Sequence, residues 1–194
     1  MSERTADVVG VAEVLGAETA RWPITIGVAL PIPEPFLSEL GAYRERFGDP
    51  LALAIVAHVT LVPPMEVPDE TALQSVLDHL SGVAAGLSPF EIVLAGSGSF
   101  RPVSPVVFVP LERGEPETRA AEAAVRCGPL DRPLQFEYHP HVTVAHRIED
   151  SWLDQASETM AGYRAAFEVS SLGLFVQGAD GVWRQRVEFP FGSE

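Results

Sequence analysis

Leu51 to Pro64, LALAIVAHVTLVPP, and Tyr138 to Ile148, YHPHVTVAHRI, each set His-Val-Thr inside an apolar, β-branched run of the kind that forms a strand. Side chains alternate between the faces of a strand. His58 and Thr60 therefore share one face, His141 and Thr143 share one face of the second segment, and Val59 and Val142 point the other way, into a core. Each strand offers an imidazole beside a hydroxyl, a pair suited to gripping and protonating a phosphate, and two such strands face to face would flank one anion. With five His and eight Thr in 194 residues, chance recurrence of the pattern is an event of roughly 2 % before the strand context is required.

Outward from these strands the apolar spacing switches between helix and strand. Trp22 to Leu30 reads as a first strand that PIPEP ends, because proline cannot donate to a ladder. Phe36, Leu37, Leu40, Tyr43 and Phe47 follow a helical face that Gly48-Asp49-Pro50 stops, and the first motif strand closes at Pro63-Pro64. Asp69 caps a helix whose buried stripe is Leu73, Val76, Leu77, Leu80 and Ala84 and whose end is Gly86; His79 lies off that stripe and reads as solvated. Phe90 to Leu94 and Val106 to Leu111 are strands joined by GSGSFRPVSP, and Glu115 to Val125 is a helix with acids in its first turn, ended by Gly128-Pro129. After the second motif, Trp152 to Phe167 reads as the last long helix, with Leu153, Ala156, Met160 and Tyr163 or Arg164 near one stripe and Ser151 or Asp150 as cap. Val169 to Val176 and Val182 to Phe189 then form a hairpin across Gly178-Ala179-Asp180-Gly181. Residues 1–20 are an extension, either an amphipathic helix through Val8, Val11, Ala12 and Leu15, weakened by Gly10 and Gly16, or disordered. Residues 21–194 read as a single domain of two strand-helix-strand halves, an internal pseudo-duplication with one His-x-Thr in each.

A net charge of −14 argues against a long, sequence-independent grip on nucleic acid, whereas a small phosphorylated molecule or the end of an RNA is compatible with it, since charge is screened beyond about 8 Å at physiological salt. All thirteen basic residues are Arg. Without lysine, a ligase chemistry built on a lysyl-nucleotide intermediate is excluded, and any ligation would be ATP-independent. No apolar run approaches the roughly 20 residues of a membrane span, MSERTADVV carries no secretory pattern, and the single Cys127 cannot form an internal disulfide; a cytoplasmic setting is the expectation. No glycine-rich phosphate loop occurs at a strand-to-helix junction.

The segments AHVTLVPP and PHVTVAHR, whose first motif histidines lie 83 residues apart, resemble the paired H-x-T motifs of the two-histidine (2H) phosphoesterase superfamily, which includes bacterial 2′-5′ RNA ligase-like proteins and 2′,3′-cyclic nucleotide phosphodiesterases. ITIGVALPIP is similar to its opening strand, GSGSFRPVSPVVFVPLE to its middle hairpin and SSLGLFVQGADGVWRQRVEFPF to its closing strands, so the resemblance runs from Trp22 to Gly192. It implies an α+β fold of two lobes of antiparallel sheet with packed helices, related by a pseudo-twofold, around a central cleft with one motif on each wall. It also implies a hydrolase of 2′,3′-cyclic phosphates or 2′-5′ phosphodiesters that needs no metal or other cofactor.

Such hydrolysis calls for a neutral imidazole to take a proton from water and a protonated one to give a proton to the departing ribose oxygen. His58 and His141 are the candidate pair, in either order of roles, and Thr60 and Thr143 the candidate donors to the non-bridging oxygens. Arg101, in a loop, has forked donors that suit a phosphate or water. Phe100, Phe175 and Trp183 are candidates to stack on a base or to pack in the core. His139, His141 and His146 invite a metal reading, but strand parity puts His146 on the face opposite His141. The resemblance places an Arg where His146 stands, with Arg147 one position on. A protein that keeps the cleft but only binds a nucleotide or RNA end is the rival reading.

Overall fold

The structure, a computed structural model, describes residues 10–15 and 21–192. Val8 and Gly16 of the expected N-terminal helix lie outside the described residues; within them α1 (Val11–Leu15) buries Val11 and Val14 against α3 and β9 and leaves Ala12 exposed. The remaining elements are β1 (Ile24–Pro31), α2 (Phe36–Arg46), β2 (His58–Val67), α3 (Glu70–Ala85), β3 (Phe90–Ala95), the short β4 (Gly98–Ser99), β5 (Val106–Arg113), α4 (Glu115–Val125), β6 (His141–His146), α5 (Asp150–Met160), β7 (Arg164–Val169), β8 (Ser171–Gln177) and β9 (Trp183–Pro190).

All pairings among the described strands are antiparallel. One sheet runs β2-β1-β8-β9, and in the other β5 pairs β3, β4 and β6 while β3 also pairs β7. The fold is thus α+β with antiparallel sheets. The C-terminal hairpin β8–β9 returns to complete the sheet begun by β1 and β2, so the sheets are not successive halves of the sequence. Each motif strand, β2 and β6, pairs with a single neighbour and so forms an edge, and the two edges meet. One continuous apolar cluster runs beneath both, from Ile26 and Leu61 to Val109 and Val144.

The helix capped by Asp69 forms as its spacing predicts: the carboxylate accepts from the Ala72 N–H at 2.9 Å, Leu73, Val76, Leu77, Leu80 and Ala84 are buried, and Gly86 is the C-cap. Three boundaries differ from expectation. Residues 51–57 make successive turns instead of strand, because the Asp49 side chain accepts from the Leu51 N–H and its carbonyl from the Ala52 N–H, which withdraws the start of the run from a ladder. β2 continues past Pro63-Pro64 to Val67, since an edge strand needs no donor on its free side and the pairing with β1 slips by one residue between Val62 and Met65. The last helix stops at Met160, and Arg164–Val169 is a strand whose residues alternate between exposed and buried.

Candidate active site

The two motif strands are matched residue for residue. His58, Val59 and Thr60 pair with Pro31, Leu30 and Ala29 of β1; His141, Val142 and Thr143 pair with Pro110, Val109 and Phe108 of β5. Val59 and Val142 are fully buried, so each His and Thr is turned toward the junction between the sheets. Directly after each Thr the register slips by one residue, at Leu61 in β2 and at Val144 in β6. A bulge of this kind leaves one residue unpaired and resets the alternation. In β6 it buries both Val144 and Ala145 and returns His146 to the face of His141 and Thr143, which corrects the parity expected for His146 from the sequence.

His58, Thr60, His141 and Thr143 line one cavity of about 100 Å³, together with Arg44 and His146. Both motif imidazoles are oriented in the same way. His58 Nδ1–H donates to the Val56 carbonyl and His141 Nδ1–H to the His139 carbonyl, each at 2.7 Å. A carbonyl can only accept, so the proton sits on Nδ1 and Nε2 is left free in the neutral ring. In His58 that Nε2 lies 3.0 Å from Thr60 Oγ1, whose hydroxyl donates to it. Phe100 meets the His141 ring edge-on at 4.9 Å between centroids and Phe108 lies at 5.1 Å. Phe175 lies 6.2 Å from the His58 ring.

Burial holds all three cavity histidines below the ordinary imidazole range. His141 is pushed down to about 4, chiefly by desolvation, with the His139 and His58 rings adding repulsion against its carbonyl bond. His58 is lowered by desolvation and by the Arg44 guanidinium, and His146 by desolvation, Arg147 and Arg44. A phosphodiester anion in the cavity would oppose this lowering, because a negative charge beside an imidazole favours its protonated form.

Arg44 was not among the sequence candidates, although Leu40, Arg44 and Phe47 recur at helical spacing and all three are buried. Its guanidinium is held by Asp49, with Nε–H donating to Oδ2 at 3.0 Å and Nη2 at 2.9 Å, and by the Ile55 carbonyl. It thus fixes a charge at the cavity wall. Tyr138 is a second unforeseen member: its hydroxyl donates to the Thr60 carbonyl at 2.8 Å, tying the segment before β6 to β2, while Arg119 bonds the Tyr138 carbonyl.

The other sequence candidates separate. Arg101 is drawn to α5, with Nη2 at 2.7 Å from Asp154 and Nη1 at 3.8 Å from Asp150, and does not line the cavity. Phe100 is a wedge between Phe108, His139 and His141. Trp183 lines an adjoining apolar cavity of about 120 Å³ with Gly27, Val62 and Phe175; it shares His58 and Thr60 with the first. His139 packs edge-on to Phe100 and Phe108. Among the described residues no three His, Cys, Asp or Glu converge as a metal-binding group. His79 is half-buried, its Nε2 bonded to the Val125 carbonyl at 2.9 Å; it ties α3 to α4 where the sequence reads as solvated.

Comparison with known proteins gives the family and the fold. The profile of the 2′-5′ RNA ligase superfamily matches residues 32–181. A Bacillus pumilus protein described as a "putative phosphoesterase" is 30 % identical over 171 residues, 87 % of this chain and 98 % of the relative. Among solved structures, Escherichia coli LigT complexed with phosphate superposes with a TM-score of 0.62 at 19 % identity, and LigT complexed with 3′-AMP with 0.59 at 18 %; each covers 88 % of this chain and 99 % of LigT. The chain belongs to the 2′-5′ RNA ligase superfamily, the two-histidine phosphoesterases.

Proposed function

We propose that the chain hydrolyses 2′,3′-cyclic phosphates, or 2′-5′ phosphodiester bonds, at the end of a nucleotide or RNA, with His58 and His141 as the acid-base pair. The observation that carries the reading is the matched pair of imidazoles, each with Nδ1 spent on a backbone carbonyl and each beside a threonine on the wall of one cavity. One neutral Nε2 takes a proton from the attacking water as the oxygen bonds to phosphorus. The other, charged once the anion has entered, gives its proton to the ribose oxygen as that P–O bond breaks. Thr60, Thr143 and Arg44 hold the non-bridging oxygens, whose charge is concentrated as phosphorus becomes five-coordinate. Because the proton steps are carried by two side chains, the scheme calls for no metal. The apolar cavity at Trp183 and Phe175 receives the base. With the 5′-hydroxyl of a second RNA end in place of water, the same pair opens a 2′,3′-cyclic phosphate: the 5′-oxygen bonds to phosphorus as one imidazole takes its proton, and the 3′-oxygen leaves with the proton of the other. The product is a 2′-5′ linkage made without ATP, which accords with a sequence that contains no lysine.

The test is incubation of the protein with each of the four nucleoside 2′,3′-cyclic monophosphates in excess chelator, beside His58→Ala and His141→Ala. The expected outcome is conversion to a single phosphate isomer, reduced roughly 10²- to 10⁴-fold in each variant. No turnover of these or of 2′-5′ dinucleotides would leave the cleft as a binding site without chemistry.

A further inference from the structure

Arginine is the chain's sole basic residue apart from histidine, and Arg44, Arg101, Arg113, Arg119, Arg126, Arg164 and Arg184 are each paired with a carboxylate. Arg21, Arg46, Arg132, Arg147 and Arg186 have no carboxylate partner among the described residues; Arg21 and Arg186 line a cavity at the start of β1, whereas Arg46 and Arg147 line one of about 470 Å³ that is walled by Trp152 and begins where the motif strand β6 ends. Trp152 is 46 % exposed, an unusual state for a large aromatic ring. Glu149 also lies on the wall, without an ion pair to either arginine. This cavity adjoins the first along β6: His141, Thr143 and His146 line the one, and the next residue, Arg147, lines the other. Arg147 is the only described non-glycine residue with positive φ, 54°, a conformation that a branched-off Cβ disfavours and that turns the residue away from the strand's alternation.

We propose that this cavity is a subsite for single-stranded RNA, taking the nucleotides that precede the reacting end: Arg46 and Arg147 hold backbone phosphate and Trp152 stacks on a base. The inference rests on the reading that the first cavity holds the reacting phosphate. Arg147 lies four residues beyond Thr143, at most about 13 Å along the chain, a separation that a strand of two or more nucleotides bridges. Two exposed guanidinium groups beside a half-exposed aromatic ring are the elements by which a strand is bound irrespective of sequence. The net charge of −14 confines the attraction to this short range, since screening at physiological salt acts over about 8 Å.

The test measures anisotropy of a fluorescein-labelled RNA tetranucleotide with a 3′-phosphate, across a salt series, for the full chain, for Arg46→Ala with Arg147→Gly, and for Trp152→Ala. Glycine keeps the positive φ, so the double variant removes charge without backbone cost. The double variant should weaken binding and lower the slope of log K against log salt by about 0.7 for each phosphate contact removed. Trp152→Ala should weaken binding roughly five- to a hundred-fold with an unchanged slope. Turnover of the 2′,3′-cyclic mononucleotides should be the same in all three proteins. RNA affinities within twofold of one another, or no RNA binding by the unaltered chain, would overturn the subsite even if mononucleotides are hydrolysed. Loss of RNA binding in the variants beside an absence of turnover in every protein would retain the subsite and overturn the hydrolase.

Discussion

Replacing His141 by Gln should flatten the dependence of folding stability on pH. In the folded chain burial pushes His141 down to about 4, against an ordinary value near 6.5. Between these values the unfolded chain binds the proton and the folded chain does not, so stability rises with pH across the window. The contribution is fully present above pH 6.5 and is lost as pH falls toward 4. At 1.36 kcal/mol per unit the span corresponds to about 3 kcal/mol, an upper bound for a ring that is only partly shielded. His58 is shifted in the same direction and adds to the slope. Urea denaturation at half-unit steps from pH 4 to 7 measures it: the unaltered chain should lose stability on acidification more steeply than His141→Gln, and the two curves should converge in shape above pH 6.5. Parallel curves through the whole range would refute the claim that burial in the cavity holds this imidazole neutral.

Tyr138→Phe removes the hydroxyl that bonds the Thr60 carbonyl and should cost about 1 kcal/mol in denaturant midpoints, with a fall in kcat that exceeds any change in KM. Arg44→Met strands the buried carboxylate of Asp49 and should cost about 3 to 5 kcal/mol, whereas Arg44→Met with Asp49→Leu should recover most of that stability but none of the activity; calorimetry and turnover separate the two. The pH profile of kcat/KM reports the free enzyme, where His58 and His141 are both lowered, so its maximum should lie below pH 6.5 and that of kcat, with the anion bound, higher. Asp69→Ala should destabilise by about 1 kcal/mol in thermal melts and leave turnover unchanged, because the cap lies outside both cavities at the cleft.

Elements governed by short-range spacing were legible in the sequence. The α3 stripe, its Asp69 cap and its Gly86 end follow from side-chain chemistry within a few residues, and so does the shared face of His58 with Thr60. What depends on a partner far along the chain was not. His146 could be placed on the cavity face only through the bulge at Val144, which is a property of the β5–β6 register and has no mark in HVTVAH itself. The residues of β7 read as a continuation of the preceding helix because Met160, Tyr163 and Phe167 satisfy helical spacing nearly as well as strand alternation; Gly162 and the two-residue alternation of Ala165, Phe167 and Val169 are the contrary signals. Arg44 drew no reading from the sequence, because its carboxylate partner, five residues away, lies beyond the helix end. Arg101 looked available for a phosphate, since the sequence does not disclose that α5 presents Asp150 and Asp154 to it.

The two motif histidines belong to different sheets, each on an edge strand, and the described hydrogen bond between their strands' neighbourhoods is that of Tyr138 to Thr60. The spacing of the proposed acid and base is therefore a tertiary quantity: neither ladder sets it, and both ladders can persist while it changes. Partial opening between the sheets, a cheaper event than global unfolding, would separate donor from acceptor with every strand intact. In mild denaturant or on warming, turnover should disappear before the far-ultraviolet signal of the sheets does, which makes activity the more sensitive gauge of how firmly the two edges stay together.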